Sequence, residues 1–199
     1  MRATAYRQLL TGIILAGGKA SRMGGREKSF LKISKGTLIG IQLSALRKIL
    51  KKIIIVTNSP QRYRNLKQVE LVSDVIADIG PLGGIYSGLL ASKSFYNFVV
   101  ACDMPFINTE LIRHMFKKAP GYDMVIPKVD GRYEPLFCIY SRNCIIPISR
   151  MVQRDAFKIK DLLPFVKAYE ITKKDVLCYG SPERIFANIN TTMEIKKYK

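Results

Sequence analysis

Short, almost wholly apolar runs alternate along this chain with longer segments in which apolar residues recur every three or four positions. The runs are Thr11–Ala16 (TGIILA), Ile53–Thr57 (IIIVT) and Phe98–Cys102 (FVVAC). Their length, β-branched content and flanking turn formers predict strands buried on both faces. Thr37–Leu50 carries Leu38, Ile41, Leu46, Ile49 and Leu50 at helical spacing, which predicts a helix. Shorter helices are expected over Gln61–Leu66, over Ile85–Ala91 and, behind an Asn108 N-cap, over Glu110–Lys117. Gly80-Pro-Leu-Gly-Gly84 reads as a turn. Further strands are expected near Leu71–Ser73, Met124–Pro127 and Leu136–Tyr140, and Ile145–Phe165 reads as helix in pieces broken by Pro147 and Pro164. Strands alternating with helices predict the α/β class: a three-layer sandwich around a mostly parallel, Rossmann-like sheet. No repeat, low-complexity tract or Pro/Ser-rich linker divides residues 1–199, so they read as a single domain. In such sheets ligands bind beyond the carboxyl ends of the strands.

Charge and composition narrow the picture. Lysines and arginines number 33 against 15 acidic residues, a net charge of +18. They are scattered in pairs such as Lys51-Lys52 and Lys117-Lys118, with no long basic block and no interleaved aromatics. That is a poor footprint for nucleic acid, though it would draw in a nucleotide or an acidic partner. No apolar stretch approaches the ~20 residues needed to cross a bilayer. The start imitates a secretion signal, with Arg2 and Arg7 before an apolar segment from Leu9 to Ala16. Thr11 and Gly12 interrupt it, and cleavage after Ala20 would remove the most informative glycines. Cys102, Cys138, Cys144 and Cys178 form no metal-ligand spacing and read as reduced thiols of a cytoplasmic protein. With His114 as the lone histidine, His-based triads and multi-histidine metal sites lose their candidates. His114 itself reads as structural, and any metal would be a hard ion on oxygen ligands, such as Mg²⁺.

The chemistry-bearing residues cluster at strand ends. Leu15-Ala-Gly-Gly-Lys-Ala-Ser-Arg-Met-Gly24 continues through Gly25-Arg-Glu to Lys28. Gly17 and Gly18 follow the first strand, where missing side chains let backbone N–H groups approach a ligand. Arg22 and Lys28 add fixed positive charge, and donors plus cations suit a phosphate chain. The loop fits neither the Walker A pattern nor G-x-G-x-x-G. Asp103, held at a strand end by Met104-Pro105, is a candidate Mg²⁺ ligand, although the same position also suits a turn cap or a lysine partner. Asp74 carries the same two readings, with Asp78 a weaker competitor. Cys138 and Cys144 read as packing residues.

At these residues the sequence resembles a known family. LAGGKASRMGGREK is similar to the signature of the cytoplasmic molybdenum cofactor guanylyltransferases, nucleotidyltransferases with the nucleotide-diphospho-sugar transferase fold. The group's broader pattern is L-x-x-G-x-x-x-R-M-G followed by a lysine. The Gly17-Gly18 pair resembles the guanylyl branch, whereas cytidylyl relatives usually carry Ala-Ala-Gly there. Glu27 stands where the family usually has Asp. Asn58, Asp74, Gly80-Pro-Leu-Gly-Gly84 and Cys102-Asp-Met-Pro105 resemble the family's nucleotide-side motifs. Glu134-Pro-Leu136 and Asn188-Ile-Asn-Thr191 resemble later motifs on the pterin side, with Thr192 replacing the usual proline. The matches run from residue 11 to residue 191.

The resemblance implies transfer of GMP from GTP to the terminal phosphate of molybdopterin, with Mg²⁺ as cofactor and release of pyrophosphate. It assigns nucleotide contacts to Leu15, Ala16, Gly17, Gly18, Lys28, Asn58, Asp74 and Asp103, and phosphate stabilisation to Arg22 and Lys28. Metal binding falls to Asp103, and pterin contacts to Glu134, Asn188 and Asn190. Proteins that deliver or accept the cofactor are implied partners. The alternatives are a cytidylyltransferase or sugar-phosphate nucleotidyltransferase of the same fold and, from another class, a basic scaffold or nucleic-acid-binding protein.

Overall fold

The computed structural model describes residues 9–17, 28–33, 36–191 and 193–194, apart from the side chains of Lys28 and Ile33. The apolar runs form the interior of one twisted sheet. Its strands are β1 (Leu10–Leu15), β4 (Lys52–Val56), β5 (Glu70–Val72), β6 (Tyr96–Ala101), β7 (Met124–Val129), β8 (Arg132–Tyr133), β9 (Phe137–Ser141) and β10 (Ala168–Thr172). A separate two-stranded ribbon joins β2 (Lys32–Ile33) to β3 (Gly36–Thr37). The sheet order is β10-β7-β9-β6-β1-β4-β5, with β8 paired to β7. Strands β5, β4, β1 and β6 run parallel, as do β7 and β10, while β9 runs against both of its neighbours. The sheet is therefore mostly parallel, as expected, with two reversed strands, β8 and β9, that the apolar pattern does not reveal.

Helices cover both faces. On one side α1 (Leu38–Leu46) and α3 (Thr109–Lys118) bury Ile39, Leu43, Leu111 and Met115 against Ile14, Ile55, Phe98 and Val100. On the other, α2 (Pro81–Ala91) and α4 (Ile145–Val152) bury Leu82, Ile85, Leu89 and Ile148 against Ile13, Leu15, Ile54 and Val99. Neighbouring strand residues thus feed opposite cores, the period-2 consequence of the pleat. Short helices α5 (Lys173–Leu177) and α6 (Pro182–Ile185) complete the chain's described part.

Several local expectations need correction. The Gly80–Gly84 turn is in fact the entry to α2, which starts at Pro81 with Gly80 at φ 70° as its N-cap. Proline at the first helical position has no N–H to lose and a suitable φ, so it opens this helix rather than preventing it. The Gln61–Leu66 helix shrinks to a 3₁₀ turn over Pro60–Arg62. The first helix stops at Leu46 and not at Leu50. Pro147 lies in the first turn of α4 and does not break it, while Pro164 sits inside a 3₁₀ segment, Ile159–Phe165. Strand β10 and helices α5 and α6 have no counterpart among the elements predicted from the sequence. Asn108 caps α3 as expected, its side-chain oxygen accepting from the Leu111 N–H at 2.9 Å. No helix among the described residues is long and apolar enough to cross a membrane.

Candidate active site at the carboxyl edge of the sheet

Register brings the candidate residues to one edge. Leu15 pairs with Val56 on one side and Ala101 on the other, so β1, β4 and β6 end level with each other. Backbone hydrogen bonds continue the ladder past those ends: Ala16 N–H to the Val56 carbonyl at 2.8 Å, Thr57 N–H to Val72 at 2.8 Å, and Cys102 N–H to Leu15 at 3.0 Å. Gly17, Asn58, Asp74 and Asp103 therefore emerge side by side from four parallel strands. Because β9 is reversed, it begins at this same edge, and the Ala101 N–H donates to the Leu136 carbonyl at 3.1 Å. That places Leu136 beside the end of β6, while the Glu134 N–H donates to the Pro127 carbonyl of β7 at 2.9 Å.

Leu15 and Ala16 are buried, so neither side chain faces the opening. Gly17 is exposed at its rim. A Cβ on Gly17 would sit 3.9 Å from an Asp74 carboxylate oxygen, which makes the two opposite walls of one notch. Asn58 and Asp74 hold each other reciprocally: Asn58 Nδ2 donates to Asp74 Oδ2 at 3.0 Å, and the Asp74 N–H donates to Asn58 Oδ1 at 3.1 Å. The other carboxylate oxygen, Oδ1, is buried without a hydrogen-bond partner. Burial pushes the Asp74 carboxyl above its usual range, and the Asn58 bond only partly offsets this. The oxygen at the Gly17 notch is Oδ2, whereas the orphaned Oδ1 lies toward Gly84 of α2, where a Cβ would stand 3.7 Å from it. Asp78 stands apart in an exposed turn, at φ 64°.

Asp103 is half-buried, and its own carbonyl accepts from the Ile189 N–H at 2.7 Å. This ties the Asn188-Ile-Asn-Thr191 segment to the metal candidate, while Leu38, Ala187 and Ile189 form a small core beneath. Asn188 and Asn190 are exposed on either side of Ile189. Glu134 is half-buried, burial pushes its carboxyl up, and the Arg132 charge opposes that. It lines a cleft of about 420 Å³ together with Asp130, Arg132 and Phe186.

Lys28 opens a 3₁₀ turn over Lys28–Phe30 that is pinned from below. The Ser29 hydroxyl lies 2.5 Å from the Tyr63 hydroxyl, both residues buried, and the Phe30 ring packs 4.9 Å from the Tyr63 ring. Gly18 and Arg22 lie outside the described residues. Two contributors are not evident in the sequence motifs. Gln42, wholly buried in α1, donates to the Ala101 and Met104 carbonyls. Arg184 brings a cation over the Phe106 ring, 5.3 Å from its centroid, just past the Asp103 loop. Their only sequence signals are a polar residue inside an apolar helical pattern and a lone arginine.

The other conspicuous residues are structural. None of the four cysteines forms a disulfide, and burial pushes the Cys144 thiol to about 12 and Cys138 well above its usual value. Neither is a nucleophile at neutral pH. His114 packs half-buried against Tyr179, 5.4 Å between rings, and its Nε2 is buried without a hydrogen-bond partner. Among the described residues no group of three or more His, Cys, Asp or Glu side chains converges on a metal position. A single carboxylate such as Asp103 fits a Mg²⁺-like ion, which takes one or two carboxylates and fills the rest of its shell with substrate phosphate oxygens and water.

Comparison with known proteins agrees with this geometry. Residues 12–168 match the MobA-like NTP transferase domain. A probable molybdenum cofactor guanylyltransferase from Natranaerobius thermophilus is 36% identical over 194 residues, covering 94% of each chain. One from Pelotomaculum thermopropionicum is 34% identical over 187 residues, covering 94% of this chain and 90% of its own. The crystal structure of molybdopterin-guanine dinucleotide biosynthesis protein A from Archaeoglobus fulgidus superposes with a TM-score of 0.78 at 24% identity, covering 94% of this chain and 95% of that one. By sequence and by fold, the chain belongs to the MobA-like NTP transferase family, among the molybdenum cofactor guanylyltransferases.

Proposed function

We propose that this protein transfers GMP from GTP to the terminal phosphate of molybdopterin, forming the guanine dinucleotide cofactor and pyrophosphate. The observation that carries this reading is the convergence of Gly17, Asn58, Asp74 and Asp103 on one sheet edge, locked in register by the Cys102–Leu15 hydrogen bond. A pterin phosphate oxygen attacks the α-phosphorus of GTP, a new P–O bond forms, and the bond to the β-phosphate oxygen breaks. The attacking phosphate is already anionic at neutral pH, so no general base is required. The protein's work is alignment and charge neutralisation.

Gly17 and Gly18 admit the nucleotide, and Asn58 and Asp74 hold its base and ribose, with Asp74 Oδ2 at the Gly17 notch. Lys28 and Arg22 neutralise phosphate oxygens. Mg²⁺ held by Asp103, when bound, offsets charge on the triphosphate. On the pterin side Glu134 accepts from ring N–H groups in the cleft it lines, and Asn188 and Asn190 supply further polar contacts. We place this single-domain enzyme in the cytoplasm, with cofactor-delivering or cofactor-accepting proteins as partners.

The test is competition among GTP, CTP, ATP and UTP, followed by detection of the dinucleotide and pyrophosphate. GTP should dominate, and a preference for CTP would overturn the assignment. Lys28→Ala and Asp103→Ala should each lower kcat roughly 10²-fold, the scale of losing one charge-stabilising group. Full turnover by both folded variants would remove those residues from the mechanism.

A further inference from the structure

We infer that Gln42 is a positioning residue that fixes the Asp103 loop for metal–nucleotide binding. The inference rests on the role of Asp103 given above. Gln42 lies in the middle of α1, a helix whose other buried positions are apolar: Leu38, Ile39, Leu43 and Leu46. A fully buried amide there is costly unless its polar atoms are matched. Its Nε2 donates twice, to the Ala101 carbonyl at 2.7 Å and the Met104 carbonyl at 2.8 Å. Those carbonyls bracket Cys102 and Asp103. Its Oε1 is buried and has no hydrogen-bond partner. An apolar residue of the same length would avoid that orphan, so core packing alone does not explain the glutamine.

The bonds close a frame around the loop. Met104 N–H bonds back to Ala101, the Asp103 carbonyl takes the Ile189 N–H, and the Cys102 N–H is held by Leu15. Gln42 adds the tie to α1, which the β2–β3 ribbon connects to Lys28 less than fifteen residues earlier. One amide therefore couples the segment carrying the phosphate-binding lysine to the loop carrying the metal carboxylate. Without those donors the loop keeps its covalent path and its Met104–Ala101 turn but loses its fixed distance from α1. Displacements near 1 Å can cost about 10²-fold in rate.

The test compares Gln42→Met, which keeps length and removes the donating amino group, with Gln42→Glu, which keeps shape and replaces that group with an acceptor oxygen. Folding is checked by circular dichroism. GTP affinity is measured by calorimetry with and without Mg²⁺, and kcat is measured separately from KM. The expected result is a kcat roughly ten- to a hundredfold lower. The gain in GTP affinity on adding Mg²⁺ should shrink severalfold while the Mg²⁺-free affinity stays at the wild-type value. A loose core would weaken both affinities alike, and that outcome would overturn the inference. So would wild-type kcat and Mg²⁺ gain in either folded variant, or failure of both variants to fold, which would make Gln42 a core residue only. Asp103→Ala separates the layers: if it retains the full Mg²⁺ gain, the metal assignment itself fails, whatever Gln42 does.

Discussion

Asp74 concentrates the site's tension in one side chain. Its folded-state pKa is raised, chiefly by burial, above the ordinary value of 3.8. Above that raised value the folded protein holds a charge that the unfolded chain would solvate better, so ionisation costs stability. Between 3.8 and the folded pKa the native state binds more protons than the unfolded state, and stability falls as pH rises. Asp74→Asn removes the charge and leaves an amide oxygen that can still accept from Asn58 Nδ2. Its melting temperature should therefore match or exceed the wild type at pH 7, the gap closing as pH is lowered toward 3.8, while turnover falls. A variant less stable than the wild type at pH 7 would contradict the burial argument. Asp74 and Asp103 were legible in the sequence because each follows an apolar run at a strand end. Gln42 was not. The helical pattern pointed to Ile41, which is only half-buried, while the polar neighbour occupies the interior position. Periodicity ranks residues by hydrophobicity and passes over a buried amide held by its hydrogen bonds.

At the level of elements, α2 sets how closely the helical layer approaches the nucleotide edge. A Cβ on Gly88 would stand 2.6 Å from Ile13 Cγ2 and 3.3 Å from Val56 Cγ2, so this helix rests almost directly on β1 and β4. A Cβ on Gly84 would meet the flexible end of Leu15 at 3.1 Å and Asp74 Oδ1 at 3.7 Å. Alanine gains about 1 kcal/mol of helix propensity over glycine at either position. At Gly88 overpacking against a methyl next to the Ile13 backbone costs about 1–3 kcal/mol, which outweighs the gain. Gly88→Ala should thus lower the urea midpoint, whereas Gly84→Ala should leave it unchanged or raise it; equal midpoints would show that α2 can lift off the sheet freely. The central strands were readable because burial on both faces makes them continuous apolar runs. Strand β10 was hidden because it is an edge strand, AYEIT, in which only Ile171 is fully buried. The reversal of β9 has no local signature, since direction depends on the connection and not on the side chains of the strand.

For the whole molecule the governing quantity is the charge of +18. The ion pairs Glu110–Arg113, Lys128–Glu170 and Lys173–Asp130 are all solvent-exposed, and such pairs contribute about 0–1 kcal/mol each. With 33 basic residues against 15 acidic ones, cations are in large excess, so net self-repulsion outweighs these attractions. Salt screens both, and the larger effect should govern: the melting temperature should rise as ionic strength is raised through about 0.1 M, where the screening length falls to about 10 Å. The same field acts on the reaction, because both proposed substrates carry phosphate. An attractive potential raises the encounter rate but does not change alignment at the α-phosphorus once the substrates are bound. The second-order constant kcat/KM for GTP should therefore fall over the salt range in which the protein becomes more stable, while kcat stays constant. Measuring both quantities in one series separates the two roles of the charge. If kcat/KM were flat while the melting temperature rose, the positive surface would be a cost to folding with no part in capturing substrate. If kcat itself fell with salt, the long-range field would be acting at the reacting phosphates, beyond the local roles proposed for Lys28, Arg22 and Asp103.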